Sequence, residues 1–377
     1  MPTRPTIAID ARKLGDTGVG RHVEGLLSGL SRAPATRSTQ WRGLAPPERW
    51  RHAAEVPDGF EWVAMRSTPY SLGQHAEAYA LLRRSNISLL HATHFTTPLI
   101  IPRDTRLVVT IHDAHLLDRP DLVSDGRMVP GRLLAYHLLM RLAIQRARLV
   151  TTVSETSAED LKRLLPAVAR KLRVVPNSLD LVRFSPNVIP RPNIERDLIV
   201  FSGSLTRRKG VEVLVKCVAA APEFFRKYRL ALVGPATSRD AIGIRRLISS
   251  SGVDHLVIVP GAVTNTSALL AWYARARVVV LPSFLESFGY PILEAMALGI
   301  PCVGSDLPAI REVSAGAALL VAAGDAHSLV DAIVRAATDQ GLRETLTDIG
   351  LARARAYRVE EMGTRALSVY DEALGRT

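Results

Sequence analysis

At 377 residues the chain is long enough for two ordinary domains, and an apolar share of 47% with mean hydropathy of +0.11 excludes a disordered or fibrous protein. The formal charge of +12 calls for anionic partners, yet no zinc-finger spacing, RNP signature or helix-turn-helix pattern occurs, which excludes the common nucleic-acid readers. Only Cys217 and Cys302 are cysteines, both in apolar segments, so a disulfide framework is excluded and two small buried hydrophobes in a reducing compartment are expected.

No apolar run reaches the roughly 18 residues of a membrane-spanning helix, and the opening Met-Pro-Thr-Arg-Pro-Thr has no signal-peptide core, so a cytoplasmic protein is expected. Thr6 to Asp10 reads as a first strand. It runs into a glycine-punctuated turn, Gly15 to Glu24, that opens a helix. Gly18-Val19-Gly20 gives this turn the look of a phosphate loop, without the third glycine of a dinucleotide fingerprint. Residues 31–60, rich in Arg, Pro and Trp, show no period and yield no functional reading.

Ser88 to Ala92 and Leu107 to Ile111 are further strands, followed by His94-Phe95 and by His112-Asp113-Ala114-His115. With His91 these histidines invite a metal, but the pairs follow separate strands, lack the helical ligand spacings and have no cysteine nearby, so no metal centre is expected. Arg127 to Arg148 has a helical pattern. Leu133, Leu134, Leu138, Leu139, Leu142 and Ile144 are read as its apolar face, and Arg132, Arg141, Arg146 and Arg148 as its basic one. Such a helix either packs on its own sheet or lies on an anionic membrane face. Arg148 to Val153 is the next strand, with Ser154 as the cap of the helix that follows.

Phe184 to Pro192, with several prolines and no period, reads as a linker. The predicted division is a first domain at 1–185, a linker at 186–196, a second domain at 197–353 and a final helix within 354–377. In the second half, strands at Leu198–Phe201, Arg229–Val233, Leu256–Val259, Val278–Leu281, Cys302–Gly304 and Leu319–Val321 alternate with helical segments. That alternation argues an α/β protein with two Rossmann-like, doubly wound parallel sheets, whose ligands sit beyond the carboxyl ends of the strands across a cleft. Gly203, the basic run Arg207-Arg208-Lys209-Gly210, Gly261 to Thr264, Ser283 to Gly289 and Ser305-Asp306 all fall at such ends.

After the apolar run Val278 to Leu281, read as a buried parallel strand, comes Pro282 to Gly299, PSFLESFGYPILEAMALG. Pro291 suits a first helical turn and Gly299 a helix stop, which puts the backbone of Ser287, Phe288, Gly289 and Tyr290 at a helix N-terminus where the dipole favours anions. Two carboxylates, Glu286 and Glu294, frame this stretch. No Asp-x-Asp motif is present, so a divalent metal on a diphosphate is not expected, and fixed cations take its place.

Glu286, seven residues and Glu294, with Phe288-Gly289 and Pro291 between, resemble the signature of the retaining GT-B glycosyltransferases of family 4 (glycosyl transferases group 1). The Thr17-Gly18-Val19-Gly20-Arg21-His22 loop and Thr110-Ile111-His112-Asp113 resemble the same family, most closely its bacterial mannosyltransferases of surface-polysaccharide assembly. The resemblance implies a nucleotide-sugar donor, GDP-mannose ahead of UDP-glucose, and a saccharide or lipid-linked acceptor, with no cofactor. It implies that Gly18, Val19 and Gly20 reach over the diphosphate and that His112 hydrogen-bonds the transferred sugar. Lys209 with Arg208, beside Gly203, would stabilise the leaving diphosphate, and Val263 would border the base. Glu286 would hold sugar hydroxyls, Glu294 the ribose, and Ser287 to Tyr290 would offer backbone N–H groups. Retention would follow a front-face, oxocarbenium-like path, and the last helix would return to the first domain. Ser178 departs from the family, which commonly has Gly there, and Ser204 stands where some members have Arg. A UDP-sugar 2-epimerase on the same fold and a catalytically silent sugar-nucleotide scaffold remain the alternatives.

Overall fold

The computed structural model describes residues 4–16, 18–33, 39–123, 130–188, 195–263 and 265–376. The expected positions Thr17 and Thr264, and the middle of the expected linker, lie outside them. The chain divides into two compact units, one of Met1–Pro120, Arg127–Asp180 and Tyr357–Thr377, the other of Asp121–Gly126 and Leu181–Ala356.

The first unit is built on seven parallel strands, β1 (Thr6–Asp10), β2 (Gln40–Ala45), β3 (Glu61–Ala64), β4 (Leu89–Ala92), β5 (Arg106–Thr110), β6 (Leu149–Thr152) and β7 (Leu172–Val174), in the order β3-β2-β1-β4-β5-β6-β7. β1, β4 and β6 are buried along their whole length, as parallel strands covered on both faces must be. Helices α1 (Gly18–Arg32), α2 (Gly73–Arg84), α3 (Pro130–Arg146) and α4 (Glu155–Leu164) supply the covering layers. Ala78, Leu82, Met140, Ala143, Ile144 and Leu161 place α2, α3 and α4 on one face. On the other face α1 shares a core with Met362, Ala366, Val369 and Tyr370 of the C-terminal helix, Val359–Leu374. Those two helices touch backbone to backbone. A Cβ on Gly29 would stand 2.2 Å from the Val359 carbonyl oxygen, and one on Gly363 2.1 Å from that of Gly29. Glycine at both positions is what lets the crossing form.

Two details differ from the sequence expectations. Residues 31–60 contribute β2 and lead to β3. Trp41 is fully buried, and Gly43 leaves room for the Phe60 and Trp62 rings, each of which a Cβ there would approach to 2.6 Å. In α3 the packed side carries Met140, Ala143 and Ile144, while Leu134 and Leu138 face solvent together with Arg141. The apolar and basic faces inferred from the sequence are therefore mixed on the outer side.

The second unit has six parallel strands, β8 (Leu198–Ser202), β9 (Arg229–Val233), β10 (Val257–Gly261), β11 (Ala276–Leu281), β12 (Cys302–Ser305) and β13 (Ala318–Val321), in the order β10-β9-β8-β11-β12-β13. They alternate with α5 (Val211–Ala220), α6 (Ser238–Ser250), α7 (Thr266–Ala274), α8 (Tyr290–Ala297), α9 (Pro308–Ser314), α10 (Ala326–Thr338) and α11 (Gln340–Ala354). In each sheet the winding reverses direction once, between β1 and β4 in the first and between β8 and β11 in the second. Loops diverge beyond the carboxyl ends of such a strand pair and leave a crevice there.

Candidate active site

At the switch point of the second unit, β8 ends in Ser202-Gly203, and the Gly203 N–H is held by the Val233 carbonyl at 2.9 Å. The chain then makes a 3-10 turn, Arg207–Lys209, closed by Gly210 with φ of 71°. A side chain at Gly210 would place its Cβ 2.0 Å from the Pro282 carbonyl oxygen, so glycine is required twice over: for the left-handed backbone and for contact with the loop after β11. That contact is extended by the Phe284 N–H donating to the Arg208 carbonyl at 2.8 Å and by Arg208 Nη1 donating to the Leu285 carbonyl at 3.3 Å.

The basic turn is thereby delivered to Glu286. Lys209 Nζ lies 2.7 Å from both Glu286 oxygens, and Arg208 Nη1 is 3.8 Å from Oε2. The Lys209 and Glu286 side chains are only 13% and 6% exposed, so this is a sequestered ion pair whose charges would be costly apart. Three residues on, Gly289 (φ 103°) starts α8, with Pro291 in its first turn and Phe288 buried beside it. The structure thus brings Gly203, Arg208, Lys209, Glu286, Ser287, Phe288, Gly289 and Tyr290 to one strand switch.

Glu294 sits differently. It is fully buried on α8, and Tyr273 of α7, also fully buried, donates its hydroxyl to Oε2 at 2.7 Å. A carboxylate in such surroundings needs hydrogen-bond donors, and Tyr273 supplies one. Val263 is half-buried in the segment after β10.

The first unit gathers a second group of residues beyond β1, β4 and β5. Gly18 and Val19 open α1 near the surface, and Gly20 is buried, with a Cβ there only 2.9 Å from the Lys13 carbonyl oxygen. His112 follows β5, and its Nε2 stands 2.9 Å from the Thr93 carbonyl oxygen. A carbonyl only accepts, so Nε2 carries the proton and Nδ1 of the neutral ring is an acceptor. His94 stacks on His112 with ring centroids 6.2 Å apart, and His22 meets it edge-on at 4.7 Å. The His22 Nδ1 lies 2.8 Å from Asn177 Oδ1. Burial pushes His91 and His94 down to about 3, holds His22 well below the usual histidine range and lowers His112 as well; the neighbouring His112 adds to the drop in the first three. All four imidazoles are therefore neutral near pH 7.

Two participants escaped the sequence reading. Arg12 is buried against Asp10, with Nη2 2.6 Å from Oδ2 and Nε 2.9 Å from Oδ1, and it ties β1 to Ser67 and Gln74. Tyr273 lies in the apolar stretch LLAWYA, where nothing local marks its hydroxyl as a partner of a residue 21 positions on. Among the described residues, no group of three or more His, Cys, Asp or Glu side chains is placed to hold a metal ion.

Two open, parallel α/β units, the second with a cation–carboxylate pair at its strand switch, define a doubly wound class of fold whose ligands sit beyond the carboxyl ends of the strands. Residues 17–183 match the Glycosyltransferase Family 4 model and residues 196–339 the Glycosyl transferases group 1 model, and the chain belongs to this family of glycosyltransferases. It is 29% identical to the O-antigen chain mannosyltransferase B of Escherichia coli over 316 residues, 78% of this chain and 79% of that one. It is 26% identical to the D-inositol 3-phosphate glycosyltransferase of Kribbella flavida over 394 aligned residues, 96% of this chain and 88% of that one. Among solved structures, the sucrose-phosphate synthase of Thermosynechococcus elongatus superposes with a TM-score of 0.77 at 20% identity, covering 99% and 100% of the two chains. Anabaena HepE in complex with UDP-glucose superposes with a TM-score of 0.75 at 17% identity, covering 97% and 99%. These likenesses identify the fold as GT-B.

Proposed function

We propose that the protein is a retaining, metal-independent hexosyltransferase that moves mannose from GDP-mannose to a saccharide or lipid-linked saccharide acceptor. The observation that carries this reading is the Lys209–Glu286 pair at the β8/β11 switch, with Arg208 beside it. As a glycosidic bond to a diphosphate breaks, negative charge grows on the leaving oxygen. A cation already fixed in place stabilises that charge without reorganising. Lys209 and Arg208 take this role. Glu286 orients Lys209 and accepts from hydroxyls of the sugar, and the start of α8, Ser287 to Tyr290, faces the phosphates. Glu294, held by Tyr273, accepts from the ribose, and Val263 borders the base.

In the first unit, neutral His112 accepts a sugar hydroxyl at Nδ1, and Gly18 to Gly20 form the loop of the diphosphate. Mannose is favoured because the Escherichia coli mannosyltransferase aligns with most of both chains. A UDP-sugar is the second reading, favoured by the UDP-glucose complex of Anabaena HepE. Calorimetry with GDP-mannose, UDP-glucose and UDP-N-acetylglucosamine, each with and without EDTA, tests the reading. Tight binding of GDP-mannose alone, unchanged by EDTA, is the expected result; a UDP-sugar preference or loss of binding with EDTA would replace the donor or the metal-free mechanism. Proton NMR of the first-formed product tests retention at the anomeric carbon.

A further inference from the structure

We infer that the first unit carries a docking surface for an anionic lipid bilayer, formed by the outer sides of α2 and α3 and the loop between β4 and β5. Large apolar side chains normally leave the surface in scattered ones and twos. Here Leu72 is 89% exposed, Leu134 70%, Tyr70 60%, Ile100 60% and Leu138 54%, all within residues 70–138. Contacts bring their segments together. Tyr70 packs its ring on Phe95 at 6.3 Å, and Phe95 packs on Tyr136 of α3 at 4.9 Å. The Leu99 N–H donates to His75 Nδ1 of α2 at 3.1 Å, and Arg146 Nε of α3 donates to the Leu99 carbonyl at 3.1 Å. The β4–β5 loop is thus clasped between the two helices, with Ile100 outward.

Helical spacing extends the surface along both flanks. Leu72, exposed Tyr79 and exposed Arg83 fall seven and four residues apart, and Leu134, Leu138 and exposed Arg141 four and three apart, so each set shares one stripe. Each stripe is apolar at its start and cationic at its end, and exposed Arg103 follows Ile100 in the loop; Asp104 is the one acid beside it in sequence. Residues 1–180 hold 25 Lys and Arg against 17 Asp and Glu, so the field over this unit favours anions. Apolar side chains that enter the headgroup boundary, with arginines that snorkel to lipid phosphates, are what an interfacial surface consists of.

The surface stands on exposure and charge; only its use rests on the proposed function. The His94 ring lies 4.3 Å from that of Phe95 and 6.2 Å from that of His112. A bilayer seated on Tyr70, Leu72 and Ile100 therefore lies beside the histidine group, and an acceptor carried by a lipid would present its sugar there.

The test is co-sedimentation of the full chain with vesicles of phosphatidylcholine alone or mixed with phosphatidylglycerol, at low and high salt. Binding to the mixed vesicles that weakens with salt is expected, with a loss of about tenfold or more in the double variant Leu72→Glu, Leu138→Glu. Arg83→Glu with Arg141→Glu is expected to remove the preference for phosphatidylglycerol. Donor calorimetry on each variant should match the parent, which separates a failed surface from a failed transferase reading. The inference is overturned if the parent ignores vesicles, if the leucine variant binds as the parent does, or if light scattering reveals a parent dimer that the leucine variant abolishes.

Discussion

The residues grouped at the two sheet ends handle polarity in opposite ways. In the second unit Lys209 and Glu286 form a close ion pair across 2.7 Å. In the first, His22, His91, His94 and His112 are kept neutral by burial, and each makes a hydrogen bond to a neutral partner: Asn177, Tyr370 and Thr110, Thr96, and the Thr93 carbonyl. A fixed ion pair can answer a change of charge during a reaction. Neutral imidazoles recognise hydroxyls, whose charge does not change, and do so without attracting an anion to the wrong place.

The largest effect that sharpens this contrast is expected at Lys209. Lys209→Ala should lower kcat by about 10²–10³, the range for loss of one charge-stabilising donor, with Lys209→Arg restoring part of it. Steady-state turnover with saturating donor is the measurement, and a near-normal kcat in the alanine variant would remove Lys209 from the chemistry.

Acidification probes the other side. His91 and His94 titrate near 3 when folded but near the ordinary 6.5 when unfolded, so below pH 6.5 the unfolded chain binds the extra protons. Their effect on stability is absent above pH 6.5 and grows as pH falls towards 3, at about 1.4 kcal/mol per pH unit for each histidine. Urea melts at pH 7 and pH 5 should differ accordingly, and hydrogen exchange should report opening first in the first unit. A midpoint that stays constant over this range would break the contrast.

Tyr273→Phe should cost about 2 kcal/mol of stability, since a buried carboxylate loses a donor, and should weaken nucleotide binding more than it weakens binding of the 2′,3′-dideoxy analogue. Equal weakening of both ligands would make Tyr273 a packing residue only. The smallest effect is expected for Thr96→Val, which removes a 2.9 Å partner of His94 and should cost about 1 kcal/mol in thermal unfolding with donor affinity intact.

The alternation of apolar runs with helical segments was enough to read two doubly wound sheets, and the loops after β8 and β11 were legible because Gly, Lys and paired Glu are conspicuous there. What stayed hidden was long-range or unperiodic. The strand β2 reads WRGLA in its core, and its burial depends on Trp41 and on space at Gly43 for rings some 17 to 19 residues away. Tyr273 looks like any core aromatic until Glu294 is placed opposite it. In α3 the sequence has more leucines than one packed face can hold, and periodicity alone does not say that Leu134 and Leu138 are the ones left outside. Asp10 at the end of β1 and Arg12 in the turn after it gave no sign that their charges would be buried together.

The crossing of Gly29 over Gly363 has a consequence for biogenesis. One side of the sheet made early in translation is sealed by Met362, Ala366, Val369 and Tyr370, which leave the ribosome after every strand of the second unit. The half synthesised first is therefore completed only after the half that follows it, and until the helix Val359–Leu374 emerges it exposes an oily flank that a chaperone can shield.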